Sequence, residues 1–349
     1  MRLEPRPYRS TTLAVAAPVL AILTALVLSG GLIALAGAPV IEAYRQIILG
    51  AFGTRLAITE TLTRATPLIL TGLAAAVAFR ARLWNIGGEG QFFIGAIAVA
   101  AVGAELTAGL PATTAIPVLM VVGSLGGMVL MLIALGLRQR FNVDEVVTTL
   151  LLNFVAILFV SMLIDGPLKD PMAFGWPQSV PVADNAVLPR IFDRARLHVG
   201  LIVAIALAVV IYLVQARTVF GLRSKAAGFN AGAARFAGVP LGRTLVMVAC
   251  LSGGLAGLAG AIQVMGVRCY VTTDISPGFG YSGIVIAMLA NLNPIGVIAA
   301  ACFAAVMFIG ADGMSRAVGV PAFIADVTVA LSLLTMLVAL FFTQYRIRR

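Results

Sequence analysis

Stretches of about twenty residues with almost no charge recur along this chain, and they constrain its fold more than any other feature. Pro67 to Phe79 carries no charged residue, and neither does Phe92 to Val102. At about 1.5 Å of rise per residue, some twenty apolar residues in a helix cross a hydrocarbon core of about 30 Å. No water reaches backbone groups in that medium, so each span must pair its own N–H and C=O groups. The apolar blocks read as ten candidate spans: Leu13 to Leu35, Ala57 to Phe79, Gln91 to Val102, Ala115 to Leu137, Val146 to Ile164, Val199 to Val214, Thr244 to Met265, Tyr281 to Leu292, Pro294 to Gly310 and Pro321 to Phe342. Only 11% of residues are charged, against about 25% in an average soluble domain. The expected fold is an all-α polytopic membrane protein of about ten transmembrane or re-entrant helices, a single membrane domain over residues 1–349.

Three blocks, Gln91 to Val102, Tyr281 to Leu292 and Pro294 to Gly310, are short and bordered or interrupted by Gly and Pro. Broken segments survive at membrane depth only where protein or a water-filled cavity covers the freed backbone, so they point to an interior pathway. Eight full helices with re-entrant pieces would explain the same pattern. Charge supplies the orientation. With the N-terminus inside, the inner segments hold 15 basic residues, among them Arg2, Arg6, Arg9, Arg80, Arg82, Arg223 and Arg349, against four acidic ones. The rest of the chain is balanced apart from Asp326 in the last span. That asymmetry is the positive-inside pattern with both termini cytoplasmic. It accounts for the net charge of +10 without any nucleic-acid partner.

Several chemistries are disfavoured at this level. The first block is too long for a signal-peptide core, although Ala34 Leu35 Ala36 resembles a cleavage site, and it reads as an uncleaved helix. One His and three scattered Cys give neither a metal cluster nor a disulfide framework. No G-x-x-x-x-G-K-[ST] phosphate loop occurs, so ATP binding by this chain is not expected. Gly278 to Gly283 satisfies G-x-G-x-x-G, but no strand precedes it, and flexible entry into a broken helix explains it better.

Two polar segments interrupt the hydrophobic rhythm. The outer one, Gly166 to Leu197, is rich in Pro and Asp and carries Trp176 between Gly175 and Pro177; it is either a connector or a docking surface. The inner one, Arg217 to Arg243, has an Ala-rich stretch from Ala226 to Ala237 that favours helix. Phe229, Ala233 and Phe236 would share one face of that helix, and Gly238 followed by Pro240 would stop it. Such a helix lies on lipid or fits a groove on a partner protein.

Four segments carry a family resemblance. Asn85 to Gln91 (Asn-Ile-Gly-Gly-Glu-Gly-Gln) after Phe79 Arg80 Ala81, Asn142 to Asn153, the inner segment, and the small-residue run Leu251 to Ala261 resemble, in this order, permeases of ABC importers for nucleosides and simple sugars, within the superfamily of branched-chain amino acid and ribose permeases. The resemblance implies helices in two pseudo-symmetric halves, and Phe79 to Gly87 faintly echoes Met288 to Gly296. It also implies a second, related permease in a heterodimer, cytoplasmic ABC ATPases that hydrolyse the ATP, an extracytoplasmic substrate-binding protein, and no cofactor on this chain. Arg223, Ala226, Ala227, Gly228, Asn230, Ala233, Ala234, Gly238 and Val239 would then form the helix that transmits nucleotide-driven closure.

The residues themselves supply the pathway candidates. Asn85, Glu89, Gln91, Asn153, Asn291, Asn293 and Asp326 are polar groups within or beside apolar blocks. Each must face another polar group or water. The asparagines fit either helix capping and packing or pathway contact. Glu89, among Gly87, Gly88 and Gly90, fits a gate or structural closure, or a lock with Arg80 or Arg82 at the cytoplasmic end. An ion-gradient-driven secondary transporter also uses broken helices and stands as the alternative; an intramembrane enzyme lacks an acid-base or metal cluster.

Overall fold

The computed structural model describes residues 2–5, 11–105, 107 and 109–348. Arg6, Arg9 and Arg349, counted above on the inner side, lie outside the described residues. Thirteen α-helices follow in order among those described: α1 (Thr11–Leu35), α2 (Val40–Phe52), α3 (Arg55–Arg80), α4 (Gly88–Gly103), α5 (Ala112–Phe141), α6 (Glu145–Asp165), α7 (Gly200–Arg217), α8 (Val219–Phe229), α9 (Ala231–Phe236), α10 (Leu241–Gln263), α11 (Phe279–Leu289), α12 (Pro294–Val318) and α13 (Ala322–Gln344). Seven are long and apolar enough to cross a membrane, α10 with the π-turn that extends it to Arg268, and the bent α1–α2 pair supplies an eighth candidate. α4 and α11 are short apolar helices. They carry two of the three blocks expected to be short. The third expectation fails, because α12 is a continuous helix of 25 residues. Asp312 ended the apolar run in sequence, but its carboxylate meets Arg64 of α3 at 3.5 Å, so the helix continues through it.

Two compact units make up the chain, Met1–Arg64 with Cys302–Arg349, and Ala65–Ala301. In the first, α1 packs along α13. A short antiparallel pair, β1 (Arg2–Pro5) with β2 (Tyr345–Arg348), brings these two segments together. α2 was not anticipated, since Glu42 and Arg45 mask it in a hydropathy scan. Its signal was the four-residue spacing of Ala43, Ile47 and Ala51, all buried. Gly37, at φ +76, allows the 119° bend before it. Gly50 lets α2 cross α12 closely: a Cβ there would lie 3.2 Å from the Cα of Gly313.

The second unit is built on α4, α5 and α10, packed through glycine. An added Cβ at Gly257 of α10 would stand 2.3 Å from the Gly123 carbonyl oxygen of α5, and one at Gly260 would stand 2.0 Å from that of Phe92 in α4. Apolar side chains gain nothing by leaving lipid for each other, so close backbone approach and the dispersion contacts it permits hold such helices together. The small-residue run Leu251 to Ala261 is therefore the seam of the unit. Above it the 166–198 segment is tied down by main-chain bonds: Ser179 N–H donates to Val271, Val182 to Cys269, Ala183 to Gly103 and Leu188 to Met265.

Candidate functional site

The chain between α3 and α4 makes a tight left-handed turn at Arg82, φ 52, and then runs into a buried polar cluster. Asn85 and Gln91 exchange both amide hydrogen bonds, each at 2.9 Å. The Asn85 Nδ2 group also donates to Ser252 Oγ of α10 at 2.9 Å, and that hydroxyl donates to the Ala74 carbonyl of α3 at 2.8 Å. Asn85 Oδ1 accepts from Gly87 N–H at 2.9 Å. From α6, Asn153 Oδ1 accepts from Gly90 N–H at 2.8 Å, while its Nδ2 donates to the Ile86 carbonyl at 2.9 Å. Thr149, one turn earlier, accepts from Ile86 N–H at 3.2 Å. Side chains thus meet the Gly90 amide in the first turn of α4, which no helix can pair for itself, and the Ile86 and Gly87 amides just before it. Asn85, Gln91 and Asn153 are each 2% exposed or less.

Glu89 reaches the other way. Its Oε2 accepts from Gly280 N–H in α11 at 2.6 Å, across 191 residues of sequence. Ser276, Gly278 and Tyr281 also lie beside the carboxylate, and Ser276 Oγ accepts from Phe279 N–H at 3.0 Å. The carboxylate therefore caps the N-terminus of α11 from the first turn of α4. Two helix N-termini meet here, Gly88 Cβ space lying 3.5 Å from the Cα of Gly280. Each end carries about half a positive charge, and one buried carboxylate between them serves both. Glu89 is 2% exposed, and the fixed Gly280 amide offsets part of the cost of burying its carboxylate.

That geometry sets Glu89 against the start of α11. Gly88 and Gly280 touch, so they cannot lie at opposite faces of a core about 30 Å thick. α11, with 11 residues, is only about 16 Å long and covers half of it. Arg80 does not lock Glu89; its Nη1 donates to Gln215 of α7 at 2.9 Å.

Not every expected polar residue joins the cluster. Asn291 is exposed in the α11–α12 turn with φ 51, a left-handed position that asparagine tolerates. Asn293 Oδ1 accepts from Ile295 N–H at 3.0 Å at the start of α12. Asp326 is exposed on α13, in the other unit. The faint echo does have a structural counterpart: Arg82 and Asn291 occupy matching positions and share the same left-handed backbone. The residues that sequence reasoning missed as site members are Thr149, Ser252, Ser276 and the Gly280 amide. A lone Ser in a glycine-rich run was the available signal for Ser252.

The inner segment is two helices rather than one. Asn230 breaks it at φ −155, and its Oδ1 caps α9 by accepting from Ala233 N–H at 3.0 Å. An Asn side chain competes with the helix for that amide, which the Ala-rich composition concealed. Gly238, at φ +80, ends α9 as expected. Ala227 and Gly228 face inward; a Cβ at Gly228 would lie 2.2 Å from the Arg80 carbonyl oxygen at the end of α3. Phe229 and Phe236 face out, 70% and 97% exposed. Arg223, Asn230, Ala233 and Gly238 are exposed, Ala226 and Val239 half-buried, and Ala234 buried.

No group of three His, Cys, Asp or Glu side chains that could hold a metal occurs among the described residues. His198, the only histidine, is buried at the entry to α7, where Nδ1 accepts from Gly200 N–H at 3.1 Å. Burial pushes its pKa down to about 4.

Seven helices long and apolar enough to cross a membrane, with two short apolar helices meeting end to end beside a buried polar cluster, describe a multi-pass membrane protein. The chain belongs to the family of branched-chain amino acid transport system permease components, whose model matches residues 57–340. A glucose ABC transporter permease of Haloferax volcanii is 34% identical, covering 99% of this chain and 93% of that one. A guanosine ABC transporter permease of Bacillus subtilis is 32% identical over 91% of each chain, and a nucleoside ABC transporter permease of Lactococcus lactis is 31% identical. Among solved structures, PsaBC from Streptococcus pneumoniae aligns with TM-score 0.51 at 12% identity over 84% of this chain and 94% of that one, a likeness of fold. The chain is thus an inner-membrane permease subunit of an ABC transporter, without an ATPase site of its own, and the secondary-transporter alternative is set aside.

Proposed function

We infer that this chain acts as one permease domain that forms half of an import pathway for nucleosides or simple sugars. Relatives named for guanosine, nucleoside and glucose transport support that substrate class. Two Bacillus subtilis guanosine permeases both match this chain, at 32% and 29% identity, which favours a heterodimer with a second, related permease. A cytoplasmic ABC ATPase supplies the energy by hydrolysing ATP, and an extracytoplasmic binding protein supplies the cargo; this chain binds no cofactor. Both termini and the α8–α9 elbow face the cytoplasm, and residues 166–197 face outward, in line with the positive-inside charge pattern.

One observation carries the coupling role. Gly228 rests on the Arg80 carbonyl, and only seven residues separate Arg80 from Gly88 at the α4–α11 junction. A push on Phe229 and Phe236 from the ATPase is delivered through Gly228 to the end of α3, then along 81–87 to the cluster of Asn85, Glu89, Gln91 and Asn153. These four close and shape the pathway; Asn291 and Asp326 stand apart from them. Gly228 is part of the fold, so the test belongs on the exposed aromatics. ATP-driven uptake of labelled guanosine and glucose into vesicles containing the assembled transporter is compared for wild type and Phe236→Asp. Loss of uptake with intact assembly is expected. Undiminished uptake would remove the coupling role from this surface.

A further inference from the structure

Within the first unit, α1, α2, α12 and α13 enclose a cavity of about 290 Å³. Its wall includes Ala25 and Ser29 from α1, Tyr44 from α2, Phe303 and Met307 from α12, and Thr328 from α13. The few polar groups in the wall are spent. Ser29 Oγ donates to the Ala25 carbonyl at 2.7 Å, Thr328 Oγ1 to Ile324 at 2.8 Å, and Ser332 Oγ to Thr328 at 2.7 Å. Tyr44 crosses from α2 and donates its hydroxyl to the Leu26 carbonyl, which Gly30 permits by leaving space for the ring. A sugar or nucleoside would bury its hydroxyls here against a surface with no free donor to meet them, at full desolvation cost.

Water has no better claim, since it needs two to four polar partners to be held. An engineered apolar cavity of about 150 Å³ in another protein stays dry and takes up benzene; this one is larger and equally hydrocarbon-lined. It is also bounded by α12 and α13, which are long and apolar enough to cross a membrane, and by the bent α1–α2 pair, an eighth candidate span. Ile22, Ile48 and Phe52 also line it and are 45%, 64% and 55% exposed, so it opens on the surface of the unit. Around membrane-spanning helices the abundant apolar, flexible and slender molecule is the lipid chain itself.

We propose that this cavity is a binding site for one acyl chain of a bilayer lipid, bracketed by the α1–α2 bend. Its lining shares no residue with the polar cluster of Asn85, Glu89, Gln91 and Asn153, and its occupant fills the space between α2 and α13. The inference rests on the helices of this unit crossing the membrane and not on which solute the transporter carries.

The test uses the assembled transporter reconstituted in phosphatidylethanolamine and phosphatidylglycerol vesicles doped with a phosphatidylglycerol bearing a mid-chain diazirine. After illumination, lipid adducts are mapped by peptide mass spectrometry. The expected result is adduct on the peptides carrying Ala25, Phe303 or Met307 at least fivefold above the peptide carrying Leu158 and Phe159, which are exposed on α6. Ala25→Trp, which fills the space, lowers the cavity adduct severalfold and leaves the α6 adduct unchanged. If that variant does not assemble, Met307→Trp is used, and the wild-type ratio decides on its own. Equal labelling of cavity and α6 overturns the proposal. So does a crosslink-free cavity whose residues instead join to another protein subunit, or wild-type adduct that persists in both filled variants.

Discussion

Replacing Gly280 by alanine tests the end-to-end junction of α4 and α11 most directly. The added Cβ would sit 2.1 Å from the Glu89 nitrogen, 2.4 Å from the Gly88 carbonyl carbon and 2.6 Å from the Glu89 Cα. The first contact is about 1.3 Å inside the 3.4 Å at which ordinary contact begins. All three neighbours are backbone, so no side chain can swing away, and the two helix ends must separate. Overpacking of this kind costs about 1–3 kcal/mol. Separation also stretches the 2.6 Å bond from Gly280 N–H to the carboxylate, a charge-assisted bond worth about 1.5–3 kcal/mol. The two losses share one displacement and do not simply add, so about 3 kcal/mol is the expected total. For a unit of this size that lowers the melting temperature by about 6 °C or more. The measurement is thermal unfolding of the purified transporter in mild detergent, with Gly136→Ala as control. Gly136 lies in a helix and an added Cβ there meets nothing within 4 Å. Equal melting of Gly280→Ala and wild type, with equal uptake, would refute the claim that the two helix ends are locked in contact.

Glu89→Gln keeps an acceptor toward Gly280 but removes the charge that two helix ends share, so it should assemble, lose about 1–2 kcal/mol and slow uptake; Glu89→Ala should lose more. Normal stability of both in melting experiments would mean the cap carries no weight. Neutral His198 sets a pH dependence. Its folded pKa of about 4 lies below the usual 6.5, so the unfolded chain takes a proton that the folded chain refuses. Its contribution is full above pH 6.5 and declines as pH falls from 6.5 to 4, by roughly 3 kcal/mol in all; His198→Asn should flatten that part of a stability-against-pH curve. Single cysteines introduced at Phe236 and Phe174, which are 97% and 100% exposed, in a background lacking Cys250, Cys269 and Cys302 should react with impermeant maleimide from the cytoplasmic and outer sides respectively. The reverse pattern would invert the topology.

Much of the architecture was readable along the chain because it depends on local composition. A helix crossing lipid must be apolar over most of its own length, so α5, α6, α7, α10 and α13 stand out in any short window. The run Asn85 to Gln91 and the seam Leu251 to Ala261 also carried the family, and Gly238 its helix stop. Where local composition was mixed the reading failed. Glu42 and Arg45 hid α2, Asp312 cut α12 short, and alanines around Asn230 concealed its capping of α9.

What only the tertiary structure decided is where each buried polar group finds its partner. Asn85, Gln91 and Asn153 were legible as groups that must be satisfied, but not as the set that pairs with one another and with the amides at the entry to α4. Glu89 was legible as a costly carboxylate, and its nearest cations in sequence, Arg80 and Arg82, suggested the wrong answer. Its donor, the Gly280 amide, lies 191 positions away, on a helix end that only packing brings to Gly88. Sequence states which groups cannot be left unpaired; glycine at 88 and 280 allows two backbones to touch, and that contact selects the pair.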